Sequence, residues 1–197
     1  MASRRVAQKE ATREHLFTQA MRLFETRGYD AVSIDDIVRE AGVARGTFYF
    51  HFPRKDDVLI ELIRRSDRDI VARMASIERG RPIRDVLRAT CDGFADGWRE
   101  RRGLLPHAGA VALRRIAEVA DERDREPLRL ELVGHVEAAI AAGELRPGLP
   151  AQMLADIFLL DVFAALMAWS VPGEPALDVV MAGVIELFLG GAARAPR

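Results

Sequence analysis

The sequence predicts an all-α protein of about nine helices, a small N-terminal unit followed by a larger helical one, and three observations carry that. Apolar residues recur at three- and four-residue steps along most of the chain, and nowhere do they alternate convincingly at period two. Glycine and proline gather between those stretches, where they end one helix or open the next. The composition, 49% apolar and 30% charged, supplies both a packed interior and a solvated exterior, which excludes wholesale disorder.

In chain order, Leu16, Phe17, Ala20, Met21 and Phe24 give one apolar face to a helix over 12–27, stopped by Gly28. Ser33 is a suitable N-cap for a short second helix with Ile34, Ile37, Val38 and Ala41 on its inner face. Asp35 and Asp36 lie in its first turn, where the helix dipole favours negative charge, and Gly42 ends it. A third short helix is expected over 44–51. A fourth starts near Pro53, a residue suited to a first turn, and runs to about residue 77, roughly 36 Å by helical rise. Gly80-Arg81-Pro82 breaks the pattern there. The expected division is therefore an N-terminal domain over 10–70, its motif at 33–52, and a C-terminal domain over 80–192.

Beyond the break, Ile83, Val86, Leu87, Thr90, Cys91, Phe94 and Trp98 form one helical stripe. Pro106 opens a helix to about residue 120, and the charged run from Asp121 to Glu126 reads as a solvated turn or helix end. The next helix, 127–142, carries Leu132, Val133, Val136 and Ile140 on one face. The segment 143–150, with two prolines and two glycines, is a loop. Two last helices, 151–170 and 176–189, are separated by Pro172-Gly173-Glu174-Pro175.

Several function classes are disfavoured at this stage. The 29 basic and 30 acidic side chains nearly cancel, so nucleic-acid binding requires a local patch. The single cysteine, Cys91, excludes an intramolecular disulfide and a multi-cysteine metal cluster. The four histidines show no i, i+4 pairing, so no metal and no cofactor is expected. No glycine-rich phosphate loop follows a strand, and paired acids such as Asp56-Asp57 suit helix starts better than acid–base catalysis; the chain does not read as an enzyme. Residues 1–10 are polar, without the apolar core of a signal peptide. The apolar stretch 153–171 is interrupted by Asp156 and Asp161, and charges at bilayer depth are costly. A buried helix of a cytoplasmic protein, with no membrane partner, is the expectation.

The segment 33–52 carries the functional signal. Two short helices flank Ala41-Gly42-Val43, where glycine permits the left-handed backbone of a tight turn. That is helix-turn-helix spacing, in which the second helix enters the DNA major groove. A helix over 44–51 spans about 12 Å, which matches a groove about 12 Å wide. Arg45 is its only long cation and suits bidentate contact with guanine. Gly46 permits close approach, and Thr47 offers a methyl or a hydroxyl. Tyr49 and His51 can donate to phosphates, while Phe48 and Phe52 have the spacing to face inward. Lys55 and the amides opening the fourth helix form an anion site. Residues 1–55 hold ten cations against seven acids, a local surplus of three where the whole chain has a net charge of −1. Arg4, Arg5 and Lys9 lie on a segment able to reach phosphates or a minor groove as an arm.

Thr12-Arg13 before an amphipathic helix, Gly28-Tyr29, Ser33-Ile34-Asp35-Asp36-Ile37, the run Ala41-Gly42-Val43-Ala44-Arg45-Gly46-Thr47-Phe48-Tyr49-Phe50-His51-Phe52, and Lys55-Asp56 together resemble the tetracycline-repressor-like (TetR) family in residue type, order and spacing over roughly 10–70. The resemblance implies an all-helical homodimer with N-terminal DNA-binding heads and C-terminal ligand and dimer domains. It implies that Ser33, Arg45, Gly46, Thr47, Tyr49, His51 and Lys55 fall where family members touch double-stranded DNA, at a near-palindromic operator. Two departures stand out: Ala44 replaces a common serine or threonine, and Val38 a common alanine.

In the C-terminal half, Phe94, Trp98, His107 and Phe163 are candidates for lining a cavity for an unknown small-molecule effector. Each also reads as ordinary core or helix-start packing, and His135 shares the ambiguity. Phe158, Met181, Val184 and Phe188 are candidates for the dimer interface, since the last helix is amphipathic and suited to pack against a copy of itself. The expected function is a DNA-binding transcriptional regulator, a repressor released by a small molecule. The alternative is a dimeric regulator without such an inducer, controlled by a protein partner.

Overall fold

The computed structural model describes residues 2–118, 127–146, 148–173 and 175–192. Among the described residues there are nine α-helices: α1 (Ala2–Arg27), α2 (Ile34–Ala41), α3 (Arg45–His51), α4 (Asp56–Ala75), α5 (Ile83–Trp98), α6 (Leu105–Glu118), α7 (Pro127–Ala141), α8 (Ala151–Trp169) and α9 (Leu177–Ala192). A 3₁₀ turn, Arg99–Leu104, joins α5 to α6. The charged run 121–126 lies outside the described residues.

Two boundaries differ from the sequence expectation, each for a physical reason. α1 begins at Ala2, ten residues before the expected start at residue 12. Its first turns are built from residues with good helix propensity and need no buried face. Arg5 and Lys9 are therefore exposed on a helix and not on an extended arm; the backbone at Arg4 is helical too, and its side chain lies outside the described set. α4 begins at Asp56 because Pro53-Arg54-Lys55 form a turn, in which the Arg54 amide donates to Asp57 Oδ2 (2.6 Å). Its 20 residues span about 30 Å.

α1, α2 and α3 close over a core containing Leu16, Phe24, Ile37, Phe48 and Phe52, with Val58 and Leu59 of α4 beneath them. α4 continues into the C-terminal half, where Ile70 and Met74 are fully buried against α5 and α7. The approach of α5 is close: a Cβ on Gly93 would stand 2.6 Å from the Ile70 side chain. α8 packs on α6, α7 and α9, and α9 also packs on α5. Leu154, Phe158, Val162 and Leu166 of α8 are buried by these neighbours, although α8 is long and apolar enough to cross a membrane by composition alone. One apolar cluster runs through both halves, and α4 is the element common to them.

Candidate nucleic-acid interface

The helix-turn-helix begins with a reciprocal cap. Ser33 Oγ accepts from the Asp36 amide (3.1 Å), and Asp36 Oδ2 accepts from the Ser33 amide (3.0 Å) and hydroxyl (2.5 Å). Those Ser33 hydrogen bonds hold the Asp36 carboxyl down to about 2. Gly42 ends α2 at φ 64°, and the Gly42 and Val43 amides donate to Arg39 and Val38 carbonyls. Val43 then turns into the core. Ala44 takes the extended N-cap conformation of α3 (φ −71°, ψ 149°) without a side-chain cap.

α3 is sharply two-sided. Phe48 and Phe52 are fully buried, their rings 5.8 Å apart. Arg45, Gly46, Tyr49 and Phe50 face solvent, and Thr47 is half-buried. The Arg45 guanidinium pairs with Asp35 Oδ1 (3.1 Å), donates to Tyr49 Oη (3.2 Å) and lies over the Tyr49 ring. Arginine and tyrosine thus form one outward unit on α3, with the acid on α2 as its partner.

Three of the expected contact residues have surroundings within the chain that bear on that role. Ser33 is committed to the cap of α2. His51 is buried at 7% exposure, with Nδ1 enclosed and unpaired; burial, reinforced by the nearby Arg13 and Lys9 charges, lowers its pKa. A neutral, inward ring makes a poor phosphate donor. Lys55 is half-buried, its Nζ donating to the carbonyls of Tyr29 and Val32 (both 3.0 Å) while lying 4.0 Å from the Tyr29 ring centroid. It closes the α1–α2 turn onto the start of α4 instead of presenting a free charge.

Two side chains that the sequence reading did not select matter here. Arg13 Nη1 donates to the His51 carbonyl at the end of α3 (2.7 Å), and Nη2 pairs with Glu61 of α4 (2.9 Å). Burial would raise the Glu61 pKa, but the hydrogen bonds from Arg13 and Arg65 outweigh it and hold the carboxyl below its usual range. Arg13 thus ties α1, α3 and α4, at sequence separations that no local pattern reveals. Phe50 is 67% exposed, with the Lys9 ammonium 5.0 Å from its ring centroid. That one was legible: two residues after the inward Phe48, helical rotation of about 200° turns a side chain outward.

A second set of contacts joins this head to the body. Asp56, the first residue of α4, accepts from Tyr29 Oη (2.5 Å) and from Arg114 of α6 (2.6 Å). Burial first, and then the bond to Asp56, raises the Tyr29 phenol pKa well above its usual range. The His107 ring stacks on Tyr29 (4.8 Å), with Nε2 3.7 Å from Asp30 Oδ2. His107, expected to line a ligand cavity, stands at the head–body joint.

The other C-terminal candidates divide. Trp98 is buried core, and Phe94 is partly buried against it. Phe163 is half-buried on α8 near Gly109 and Met167. A cleft of about 350 Å³ opens between α5 and α9, lined by Arg84, Arg88, Cys91, Met181, Ile185 and Glu186 among others, and none of the four proposed lining residues reaches it. Burial pushes the Cys91 thiol up to about 12, so it stays protonated at neutral pH. No group of acidic, histidine or cysteine side chains suited to a metal occurs among the described residues.

The expected dimer residues are already buried within one chain. Phe158, Met181, Val184 and Phe188 are 0–6% exposed within one chain, and Phe158 and Phe188 stack edge-on at 5.2 Å. They hold α9 to α8 and α5. The solvent-facing apolar residues are instead Met153, Ile157 and Leu160 on α8 and Val179 and Leu187 on α9, the last 78% exposed.

Residues 16–62 match the family model described as bacterial regulatory proteins, tetR family. The HTH-type transcriptional regulator EthR of Mycolicibacterium smegmatis is 46% identical over 48 residues, 24% of this chain and 22% of the relative. Alignments to the first three curated relatives span only 22–33% of those proteins' length. The HTH-type transcriptional repressor BepR of Brucella suis biovar 1 is 27% identical over 188 residues, 90% of this chain and 88% of the relative. In fold, the chain is similar to Thermus thermophilus FadR, a TetR family transcriptional repressor solved with lauroyl-CoA: TM-score 0.61, 24% identity, covering 94% of this chain and 98% of that one.

Proposed function

We propose that this chain, which belongs to the TetR family of DNA-binding transcriptional regulators, is a repressor that holds a near-palindromic operator as a homodimer and lets go when a small molecule occupies its C-terminal body. It is a regulator and not an enzyme. The observation that carries the reading is the outward Arg45–Tyr49 unit on a short helix whose opposite face is anchored by Phe48 and Phe52. A guanidinium so presented can exchange Asp35 for the O6 and N7 of guanine, and Gly46 beside it leaves room for the duplex.

The apolar side chains exposed on α8 and α9 support self-association, since apolar surface left in water favours burial against a copy. Two heads then meet two half-sites one helical turn apart, about 34 Å. Ligand control is supported by likeness: the Thermus thermophilus repressor of the same fold was solved with lauroyl-CoA. The ligand acts only through its different affinity for two arrangements of the heads, and α4, shared by head and body, is the element through which it is felt. We place this activity in the cytoplasm.

Selection of bound fragments from random or genomic DNA tests the reading. The intact protein should enrich an inverted repeat. Arg45→Ala should then weaken binding by roughly 1–3 kcal/mol and relax the preference at one base pair per half-site. Unchanged affinity and unchanged preference would remove α3 from its assigned role.

A further inference from the structure

We infer that Phe50 is a specificity-determining residue, reading thymine in each half-site by apolar contact with its C5 methyl group; the inference rests on the proposed DNA-binding role. Phe50 is the most exposed aromatic side chain among the described residues, at 67%, on a helix whose other outward residues are polar or glycine. It can neither donate to a phosphate nor hydrogen-bond a base edge, so the apolar group that the major groove offers is its natural complement, and only thymine carries one there. The ring has two neighbours: the Lys9 ammonium lies 5.0 Å from its centroid, and the His51 ring meets it edge-on with centroids 5.0 Å apart.

Charge complementarity gives the direction of the contact. Lys9 of α1 is exposed and lies beside Phe50, while Arg45 lies around α3 on its other outward edge. A duplex received between these cations brings a strand's phosphates toward α1. The thymine methyl projects from the groove edge toward its own strand's backbone, which is the side on which Phe50 stands. Lys9 then takes a phosphate while the ring covers the neighbouring methyl.

The test uses the full chain and the inverted repeat enriched in the selection above. Each thymine is replaced in turn by deoxyuridine, which removes only the methyl, and binding is measured for the intact protein, Phe50→Ala and Phe50→Leu. The intact protein should lose about fourfold in affinity at one thymine per half-site, the worth of one buried methylene-sized group. Phe50→Ala should be indifferent to that replacement, and Phe50→Leu, still apolar, should keep part of the effect. Thermal unfolding of the variants should match the intact protein, since the ring lies outside the core. Indifference of the intact protein to every replacement overturns the inference, as does a penalty that Phe50→Ala retains in full; in both cases the operator itself still binds. Failure of the intact protein to enrich any sequence overturns the DNA-binding reading and this inference with it.

Discussion

Lys55 shows how a cation can be assigned two incompatible jobs from the same sequence. Lysine near the start of a helix suggests an anion site, because free amides and a positive side chain converge there. In the folded chain two of its three donors already have oxygen at hand, the carbonyls of Tyr29 and Val32, with the Tyr29 ring face beneath. Breaking those bonds to reach a phosphate would take its donor from the Val32 carbonyl and leave the Tyr29 carbonyl only the longer bond from the Val32 amide (3.3 Å). Lys55→Ala should accordingly lower head stability by roughly 1–2 kcal/mol in urea unfolding, while the slope of log affinity against log salt stays as it was. A slope reduced by about one unit would mean that the ammonium does leave for a phosphate. Arg13 makes the complementary point. Nothing near it in the chain announces that it will cap α3 and pair with α4, because its partners lie 38 and 48 residues away.

At the scale of single elements the sequence is far more legible. α2 is readable end to end, from Ser33 through Asp36 to Gly42, because its cap, dipole and stop signals are all local chemistry. The weak point is the next helix. Ala44 has the N-cap backbone and no oxygen to offer, so α3 starts with its amides uncapped by any side chain. Ala44→Ser should therefore raise thermal and urea stability by about 1 kcal/mol. No gain would show that solvent or the duplex edge satisfies those amides equally well. α8 and α9 mark where legibility ends. Both carry apolar residues on more than one face, so periodicity names helices without saying which stripe goes inward. The pattern offers Phe158, Met181, Val184 and Phe188 to a partner, whereas within the chain they are buried and Leu160, Val179 and Leu187 stay outside. α1 departs in the opposite sense, because residues 5–11 of the helix are exposed and leave no periodic trace.

On the scale of the whole molecule, regulation requires the body to be felt at α3, and the joint that could transmit it is compact. Asp56 is the shared acceptor: Tyr29 reaches it from the α1–α2 turn and Arg114 from α6, while His107 of α6 stacks on the same tyrosine and Lys55 grips its carbonyl. A shift of α6 cannot leave the turn that carries α2 undisturbed unless these contacts break. Two groups bonded to one carboxylate should be energetically coupled, since each holds the acceptor in the orientation that the other needs. Tyr29→Phe removes one bond without touching the ring stack, and Arg114→Ala removes the other. Exposed ion pairs are worth little alone, so Arg114→Ala by itself should cost below about 1 kcal/mol. The double variant should depart from the sum of the single losses by about 0.5–1 kcal/mol in a urea-unfolding cycle. Strict additivity would mean that Asp56 serves two independent contacts, and that head and body communicate through the packing of α4 alone.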